Sequence, residues 1–204
     1  SVPGKPVNLS SLLGNLAPTI DIVDVGAMWL DEAKPAYNAL LSPGRARVIG
    51  FEPVQSECDK LNSMKMRNHT FLPYFIGDGR RRTFYLTKPS FTASLYEPDP
   101  AVINPFFNRP ELMHVVEKTE VDTRRLDDLP EIKSFDLLKI DVQGAEVDVM
   151  RGAERLLKSA CVVQTEINFV PMYKGMALFA DVDVEMRRQG YMIHYLTHAM
   201  GRPF

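Results

Sequence analysis

The sequence predicts an α/β fold, with one domain built on a doubly wound, mostly parallel sheet. Three short apolar runs each lead into an acidic residue and then into a turn. These runs are residues 22–27, 48–53 and 137–146. Helical patterns lie between such runs, and this alternation is typical of βαβ units. The carboxyl ends of parallel strands meet at one edge of a sheet. We therefore expect Asp24, Glu52 and Asp141 to lie together at a small-molecule site.

Up to residue 87 strands and helices alternate without interruption. The predicted elements are strands at residues 20–25, 47–51 and 70–76, a helix at residues 32–41, a helix with Val54, Cys58 and Leu61 on one face, and an extended segment at residues 83–86. Ser42-Pro43-Gly44 ends the first helix. Gly77-Asp78-Gly79 predicts a turn ahead of the extended segment.

Residues 88–116 interrupt this alternation. Five prolines there exclude long regular elements, while several aromatic side chains need a surface to pack against. Long structured loops in compact domains are commonly lids or binding loops. We expect a lid over the substrate, and a purely structural insertion is the alternative.

Regular alternation resumes after this segment. The predicted elements are a strand at residues 135–141, a helix at 145–158, a strand at 161–167, a helix at 176–189 with Leu178, Val182 and Met186 inward, and a strand at 191–196. Gly190 is expected to cap the last helix. One domain is expected to span residues 1–204, with residues 1–19 as an N-terminal extension.

Composition excludes several classes of protein. The chain has 204 residues, enough for one domain with a sizeable core. Its formal net charge of -2 gives no electrostatic reason to expect nucleic acid or an anionic membrane as partner. No apolar run reaches the ~20 residues that a membrane span requires. Two cysteines make no disulfide framework, and we expect a cytoplasmic protein.

Several common motifs are missing. Met28-Trp29-Leu30 occupies the positions where a dinucleotide fingerprint would have further glycines, and there is no P-loop. His194 and His198 would lie roughly 13 Å apart on a strand, too far to share one ion. We therefore expect no metal site, although His198 remains a candidate proton acceptor.

Acidic residues at strand ends are the candidates for chemistry. Glu52 is placed to accept two hydrogen bonds from a ribose diol, each worth about 1.5–3 kcal/mol, or it is simply a helix-start acid. Asp78 is either an acceptor for an adenine amino group or an ordinary turn residue. Asp141 and Glu166 close two strands whose backbones, if adjacent, lie about 4.8 Å apart. Such a pair can make one acid a general base, the alternative being a structural role for Glu166.

One run in the second half is fairly specific: Lys139-Ile140-Asp141-Val142-Gln143-Gly144-Ala145-Glu146, followed by Met150-Arg151-Gly152-Ala153. It resembles the signature of the FkbM family of S-adenosylmethionine-dependent methyltransferases. Weaker matches follow the same order along the chain. They are residues 23–27, 50–53, 76–78, 92–95, 125–129, 165–167 and 172–175.

The resemblance implies a class I methyltransferase sheet of the Rossmann-like type, with S-adenosyl-L-methionine as cofactor. It implies O-methylation of a small-molecule hydroxyl acceptor, such as a sugar or natural product. The implied cofactor contacts are Asp24, Gly26 and Ala27 at the methionine portion, Glu52 with Pro53 at the ribose, Gly77 and Asp78 at the adenine, Ser94 and Trp29 close by, and Asp141 at the sulfonium. Asp141 and Glu166 are the candidates for the general base.

The chain departs from the family pattern in two places. Met28-Trp29-Leu30 replaces a second glycine, and little sequence after His198 remains for a seventh strand, so we expect the last strand to be missing or the sheet edge to be unusual. Two alternative functions follow. The altered loop favours a non-catalytic binding module that has kept the fold, and a nicotinamide-dependent oxidoreductase would use a similar sheet.

Overall fold

The computed structural model describes residues 13–28, 35, 37–41, 44–197 and 201. The described strands are β1 (Ile20–Val25), β2 (Ala46–Phe51), β3 (His69–Leu72), β4 (Arg81–Thr87), β5 (Val115–Asp122), β6 (Leu137–Ile140) and β7 (Val162–Thr165). The described helices are α1 (Asn38–Leu41), α2 (Gln55–Ser63), α3 (Pro100–Ile103), α4 (Arg109–Leu112), α5 (Glu146–Arg151), α6 (Glu154–Leu157) and α7 (Phe179–Arg188).

Five of these strands form one sheet in the order β3-β2-β1-β6-β7, and every neighbouring pair is parallel. The chain adds strands toward one edge up to β3 and then returns to the other side of β1. This reversal opens a crevice between the carboxyl ends of β1 and β6, where ligands bind in doubly wound sheets. The predicted α/β fold class is confirmed.

Apolar side chains cover both faces of the sheet. Val23 and Leu138 belong to the main core, which helices α5 and α6 close from one side. Ile22 and Val48 point to the opposite face, where Tyr37 packs on them. Successive residues of β1 therefore bury side chains on alternate faces, as a central strand requires.

Strands β4 and β5 form a separate antiparallel ribbon. A parallel bridge between Ile76 and Arg124 joins the base of the ribbon to the region after β3, where Gly77 N donates to Arg124 O at 2.9 Å. Residues 88–114 run between the two ribbon strands, and Lys88 N donates to His114 O at 3.1 Å to close the base of this excursion.

The strand predicted at residues 70–76 ends already at Leu72. Three larger differences separate the structure from the predicted elements. No strand was predicted at β5, and the predicted insertion boundary at residue 116 falls inside it. Most side chains of β5 are exposed, so it lacks the apolar alternation by which a half-buried strand is recognised. The strand predicted at residues 191–196 is wrong: these residues form no strand, and Met192 and Tyr195 are 80% and 74% exposed.

The third difference is the helix predicted at residues 145–158, which divides into α5 and α6 at Gly152. A Cβ on Gly152 would lie 2.2 Å from Gly77 O, so this glycine lets the segment after β3 pack directly on the helix. Of the helix predicted at residues 32–41, only α1 falls within the described residues.

Candidate functional site

A cavity of about 760 Å³ lies at the carboxyl ends of β1, β2 and β6, where the strand order reverses. The segment 90–95 closes it from the side of the ribbon. The predicted site residues that line it are Asp24, Gly26, Ala27, Glu52, Pro53, Ser94 and Asp141. Residues from four separate parts of the chain therefore meet at this edge.

Gly26 brings the loop after β1 against the loop after β6. Its φ is +81°, and a Cβ at this position would lie 1.9 Å from Asp141 O. Gly26 N and Ala27 N both donate to Phe51 O, at 3.1 and 3.0 Å. Only glycine permits this approach, because any side chain would overlap the carbonyl of the neighbouring loop.

Glu52 follows β2 and is 4% exposed. Its Oε1 accepts a hydrogen bond from Val54 N at 2.9 Å. Burial raises the pKa of the Glu52 carboxyl to about 7, against the opposing effects of the Val54 hydrogen bond and the Lys139 charge. A buried carboxylate beside a cavity is placed to accept hydroxyl hydrogen bonds from a ligand, which compensate for its lost hydration.

Asp24 is held from two sides. Tyr37 OH donates to Asp24 Oδ2 at 2.7 Å, and Lys139 Nζ lies 3.1 Å from Asp24 Oδ1. Lys139 Nζ also donates to Gly26 O at 2.9 Å. Burial and the neighbouring Asp24 charge raise the pKa of Tyr37 well above its usual range, so its hydroxyl remains a donor.

Gln143 bridges the two candidate catalytic acids. Its Nε2 donates to Asp141 Oδ1 at 2.9 Å and to Glu166 Oε2 at 3.0 Å. The residue has φ +56°, a left-handed conformation that non-glycine residues seldom adopt. Glu166 does not itself line the cavity but reaches it through Gln143.

Glu146 holds the loop that carries Asp141 and Gln143. It is fully buried, and its Oε1 accepts from Gly144 N at 3.1 Å and from Val142 N at 3.3 Å. Burial raises the pKa of the Glu146 carboxyl. This contact is a structural one, since both donors are backbone groups of the loop.

Ser94 joins the excursion between β4 and β5 to the same loop. Its Oγ donates to Gln143 O at 2.6 Å and accepts from Tyr96 N at 2.9 Å. Tyr173 OH donates to Thr92 O at 2.8 Å, which adds a second connection from the region after β7. The cavity wall formed by residues 90–95 is thus fixed to the loop after β6, and its role as a lid stays a prediction.

The structure does not bring every predicted residue to the cavity. Gly77 packs against Thr123 and Gly152, and Asp78 Oδ2 lies 2.7 Å from Arg82 Nη2 at the base of the ribbon. Neither residue lines the cavity, and their adenine contacts stay predictions. Trp29 and His198 lie outside the described residues.

Three contributors were not singled out from the sequence as site residues: Tyr37, Lys139 and Gln143. A signal existed only for Lys139, which interrupts an otherwise apolar strand with a charge. Charged residues are rarely placed inside a central strand unless they are paired, so such an interruption points to a buried partner.

Within the described residues, no three side chains of the His, Cys, Asp or Glu type converge closely enough to hold a metal ion. No helix in this part of the chain combines the length and apolar character needed to cross a bilayer.

Comparison with known proteins gives a family. Residues 24–193 match the model of the methyltransferase FkbM domain. Methyltransferase 1 of Beauveria bassiana is 44% identical over 48 residues, which cover 22% of this chain and 19% of that protein. The 2-O-methyltransferase NoeI of Sinorhizobium fredii is 41% identical over 58 residues, which cover 27% of this chain and 24% of that protein.

A crystal structure of methyltransferase FkbM from Methylobacillus flagellatus aligns with 69% of this chain and 30% of its own, at 18% identity and a TM-score of 0.40. The matched region thus spans less than a third of each of these three proteins. The family model covers most of this chain, including the β1 loop and the β6 loop that form the cavity. The chain therefore belongs to the FkbM methyltransferase family.

Proposed function

We propose that this chain is an S-adenosyl-L-methionine-dependent O-methyltransferase that acts on a hydroxyl of a small molecule, such as a sugar or natural product. The observation that carries the proposal is the position of Gln143. Its amide donates to the carboxylates of both Asp141, which lines the cavity, and Glu166, which lies behind Gln143. Family membership directs this arrangement toward methyl transfer.

The described residues of the cavity fit the cofactor. Its volume of about 760 Å³ lies within the roughly 300–1,000 Å³ of small-molecule sites. Glu52 is the proposed partner of the ribose hydroxyls, and the apolar wall formed by Phe51 and Phe71 suits a nucleoside base. When bound, the cofactor supplies the methyl group already activated on a sulfonium, so the transfer consumes no reducing equivalent.

The chain's own contribution is alignment and proton transfer. Fixing the acceptor in a reactive position supplies about 7–11 kcal/mol of the barrier reduction. One carboxylate of the Asp141–Glu166 pair accepts the hydroxyl proton of the acceptor, which adds roughly 10²–10⁴-fold. Gln143 holds both carboxylates in position before the acceptor binds.

The relative from Sinorhizobium fredii supports oxygen as the acceptor atom, because it is named a 2-O-methyltransferase. Acidic groups at the rim agree with this choice, since a hydroxyl must lose its proton as it is methylated. The exposed ring of Phe91, which lines the cavity, offers a flat apolar surface on which a sugar ring can stack.

The test is a titration of the protein with S-adenosylhomocysteine and, separately, with NADH, by isothermal calorimetry. We expect saturable binding of the first and none of the second. Cofactor turnover with a panel of hydroxyl acceptors, measured as released S-adenosylhomocysteine, then identifies the substrate. Binding of NADH alone would favour an oxidoreductase, and binding of neither ligand would favour a non-catalytic module.

A further inference from the structure

A row of polar side chains crosses three adjacent strands at the cavity. In the sheet register Asp24 of β1 lies beside Lys139 of β6, and Lys139 lies beside Gln164 of β7. All three residues line the cavity. Residues in register on neighbouring parallel strands point to the same face of a sheet, so the three side chains form a continuous row. Parallel sheets are normally apolar on both faces, so a polar row requires polar partners.

The first two members of the row are partners of each other. Lys139 Nζ lies 3.1 Å from Asp24 Oδ1 and donates to Gly26 O at 2.9 Å. Gln164 is different, because it is only half-buried and no described residue forms a hydrogen bond with its side-chain amide. An amide offers two N–H donors and a carbonyl acceptor. These polar groups of Gln164 are therefore available to a ligand in the cavity.

The alternation along β7 brings Gln164 close to the candidate acids. Val163 packs against the main core, so Gln164 points to the opposite face. Glu166 N continues the pairing with β6 by donating to Ile140 O at 3.1 Å, and Glu166 therefore shares a face with Gln164. Two residues of a strand span about 6.6 Å. A single six-membered ring with its substituents bridges such a distance.

The strand order places Gln164 on the acceptor side of the cavity. Glu52, the proposed partner of the ribose, follows β2, and β7 lies three strand spacings, or about 14 Å, from β2. The proposed proton acceptors, Asp141 and Glu166, follow β6 and β7. A nucleoside at Glu52 therefore leaves the β6–β7 side to the molecule that is methylated.

We propose that Gln164 is a specificity-determining residue that hydrogen-bonds a second hydroxyl of the acceptor, on the same ring as the hydroxyl that is methylated. This inference rests on the proposed function, because it concerns the acceptor of the same reaction. A hydroxyl donates and accepts, as the amide of Gln164 does, whereas an apolar substituent would leave the amide unpaired. The acceptor is therefore a polyhydroxylated ring of the carbohydrate type rather than a molecule with one isolated hydroxyl.

The first experiment uses wild-type protein and measures released S-adenosylhomocysteine. The acceptors are methyl glycosides of hexoses and 6-deoxyhexoses, with cyclohexanol and phenol as compounds that carry one hydroxyl. We expect the glycosides to be the better acceptors. The best glycoside is then compared with its deoxy derivatives, each of which lacks one hydroxyl other than the methylated one. One derivative should have a kcat/KM about three- to tenfold lower, as expected for the loss of one neutral hydrogen bond.

The second experiment repeats this comparison with Gln164→Met, which keeps the length of the side chain and removes its polar atoms. The kcat/KM of the parent glycoside should fall by about three- to tenfold. The value for the sensitive deoxy derivative should stay within about twofold of wild type, because the hydroxyl that Gln164 binds is already absent. A substitution that only loosened the fold would lower both values alike. The affinity for S-adenosylhomocysteine should be unchanged.

The matched control is Gln55→Met on α2, where the same side chain is exposed and its Nε2 donates to Asp59 Oδ1 at 2.8 Å. It should keep the wild-type values for the parent glycoside and for the derivative. A lower value for the parent alone in this variant would contradict the assignment of the effect to Gln164.

Several results overturn the inference while leaving the proposed function intact. They are cyclohexanol or phenol turned over as well as the best glycoside, equal kcat/KM for all deoxy derivatives in the wild type, and equal losses for parent and derivative in Gln164→Met. Loss of S-adenosylhomocysteine binding in Gln164→Met would assign the residue to the cofactor or the fold and overturns the inference too. Cofactor binding without turnover of any acceptor contradicts the proposed function itself.

Discussion

Ser94 Oγ donates a 2.6 Å hydrogen bond to Gln143 O, and this contact connects the excursion between the ribbon strands to the loop that carries the candidate acids. Ser94 is buried, so the bond is formed away from water. The wall of the cavity and the Asp141 loop are therefore expected to respond together to a change at either residue.

Replacing Ser94 by alanine tests this connection. The change leaves Gln143 O without its side-chain donor, which should reduce the free energy of unfolding by about 1–3 kcal/mol. Hydrogen exchange at residues 90–96 should accelerate as well. Ser159→Ala is the matched control, because Ser159 Oγ donates to Leu156 O at 3.0 Å at the end of α6, far from the cavity. Equal effects of the two substitutions on residues 90–96 would contradict the connection.

Asp141→Asn and Glu166→Gln test proton transfer. Each variant keeps a polar group of the same size but loses the charge that accepts a proton. The variant of whichever acid is the general base should lower turnover by roughly 10²–10⁴-fold. Its affinity for S-adenosylhomocysteine should change by only about a few fold. Asp128→Asn, at an exposed acid, should leave turnover unchanged. Near-normal turnover in the double variant would remove both acids from the mechanism.

Glu52 should make ligand binding depend on pH. Burial raises the pKa of its carboxyl from 4.5 to about 7. A ribose diol donates to the ionised carboxylate, so binding of S-adenosylhomocysteine should release a proton and strengthen as pH rises toward about 7, by up to about tenfold per pH unit. Calorimetry in buffers of different ionisation enthalpy measures the released proton directly.

Protein stability should change in the opposite sense. A carboxyl with a higher pKa in the folded state binds more protons when folded, so its contribution to stability falls as pH rises from 4.5 to about 7. In Glu52→Gln both the ligand profile and this part of the stability profile should be flat, whereas Glu111→Gln at an exposed position should keep the wild-type profiles. A pH-dependent affinity that persists in Glu52→Gln would assign the titration to another group.

Gly26→Ala tests the close approach of the two loops. Gly175 also has a positive φ, +72°, but a Cβ there would meet nothing within 4 Å. Gly175→Ala should cost only the backbone strain, about 1–2 kcal/mol. Gly26→Ala should cost about 1–3 kcal/mol beyond that, because its Cβ would overlap Asp141 O, and S-adenosylhomocysteine binding should be lost. Equal costs in urea unfolding would show that the loops can separate freely.

The acidic residues at the cavity edge could be predicted from the sequence, because each is recognised from its immediate neighbours in the chain. Asp24, Glu52 and Asp141 each follow an apolar run, and parallel pairing alone brings such positions to one edge. Ser94 was found only by resemblance, since it lies in an irregular segment where no periodicity exists. Its contact with Gln143 spans 49 positions of the chain, and local patterns carry no information about such pairs.

The two errors in the predicted strands also have physical explanations. Strand β5 is charged and exposed, so it has no buried face to reveal it, and only its pairing with β4 makes it a strand. Residues 191–196 show the reverse: the largely apolar run is typical of a strand, but within the described residues no neighbouring strand pairs with it. A strand is defined by its partner, which a single segment of sequence does not contain.

The hydrogen-bonded base of the ribbon has an evolutionary consequence. Lys88 and His114 close the excursion where it leaves the paired strands, so residues inserted or removed between them do not alter the parallel sheet. Loops anchored in this way tolerate changes of length at little cost. Under the proposed function, we therefore expect that the preference for an acceptor can change through this one segment while the parallel sheet and its strand-end loops are retained, provided that the contact of Ser94 with Gln143 is kept.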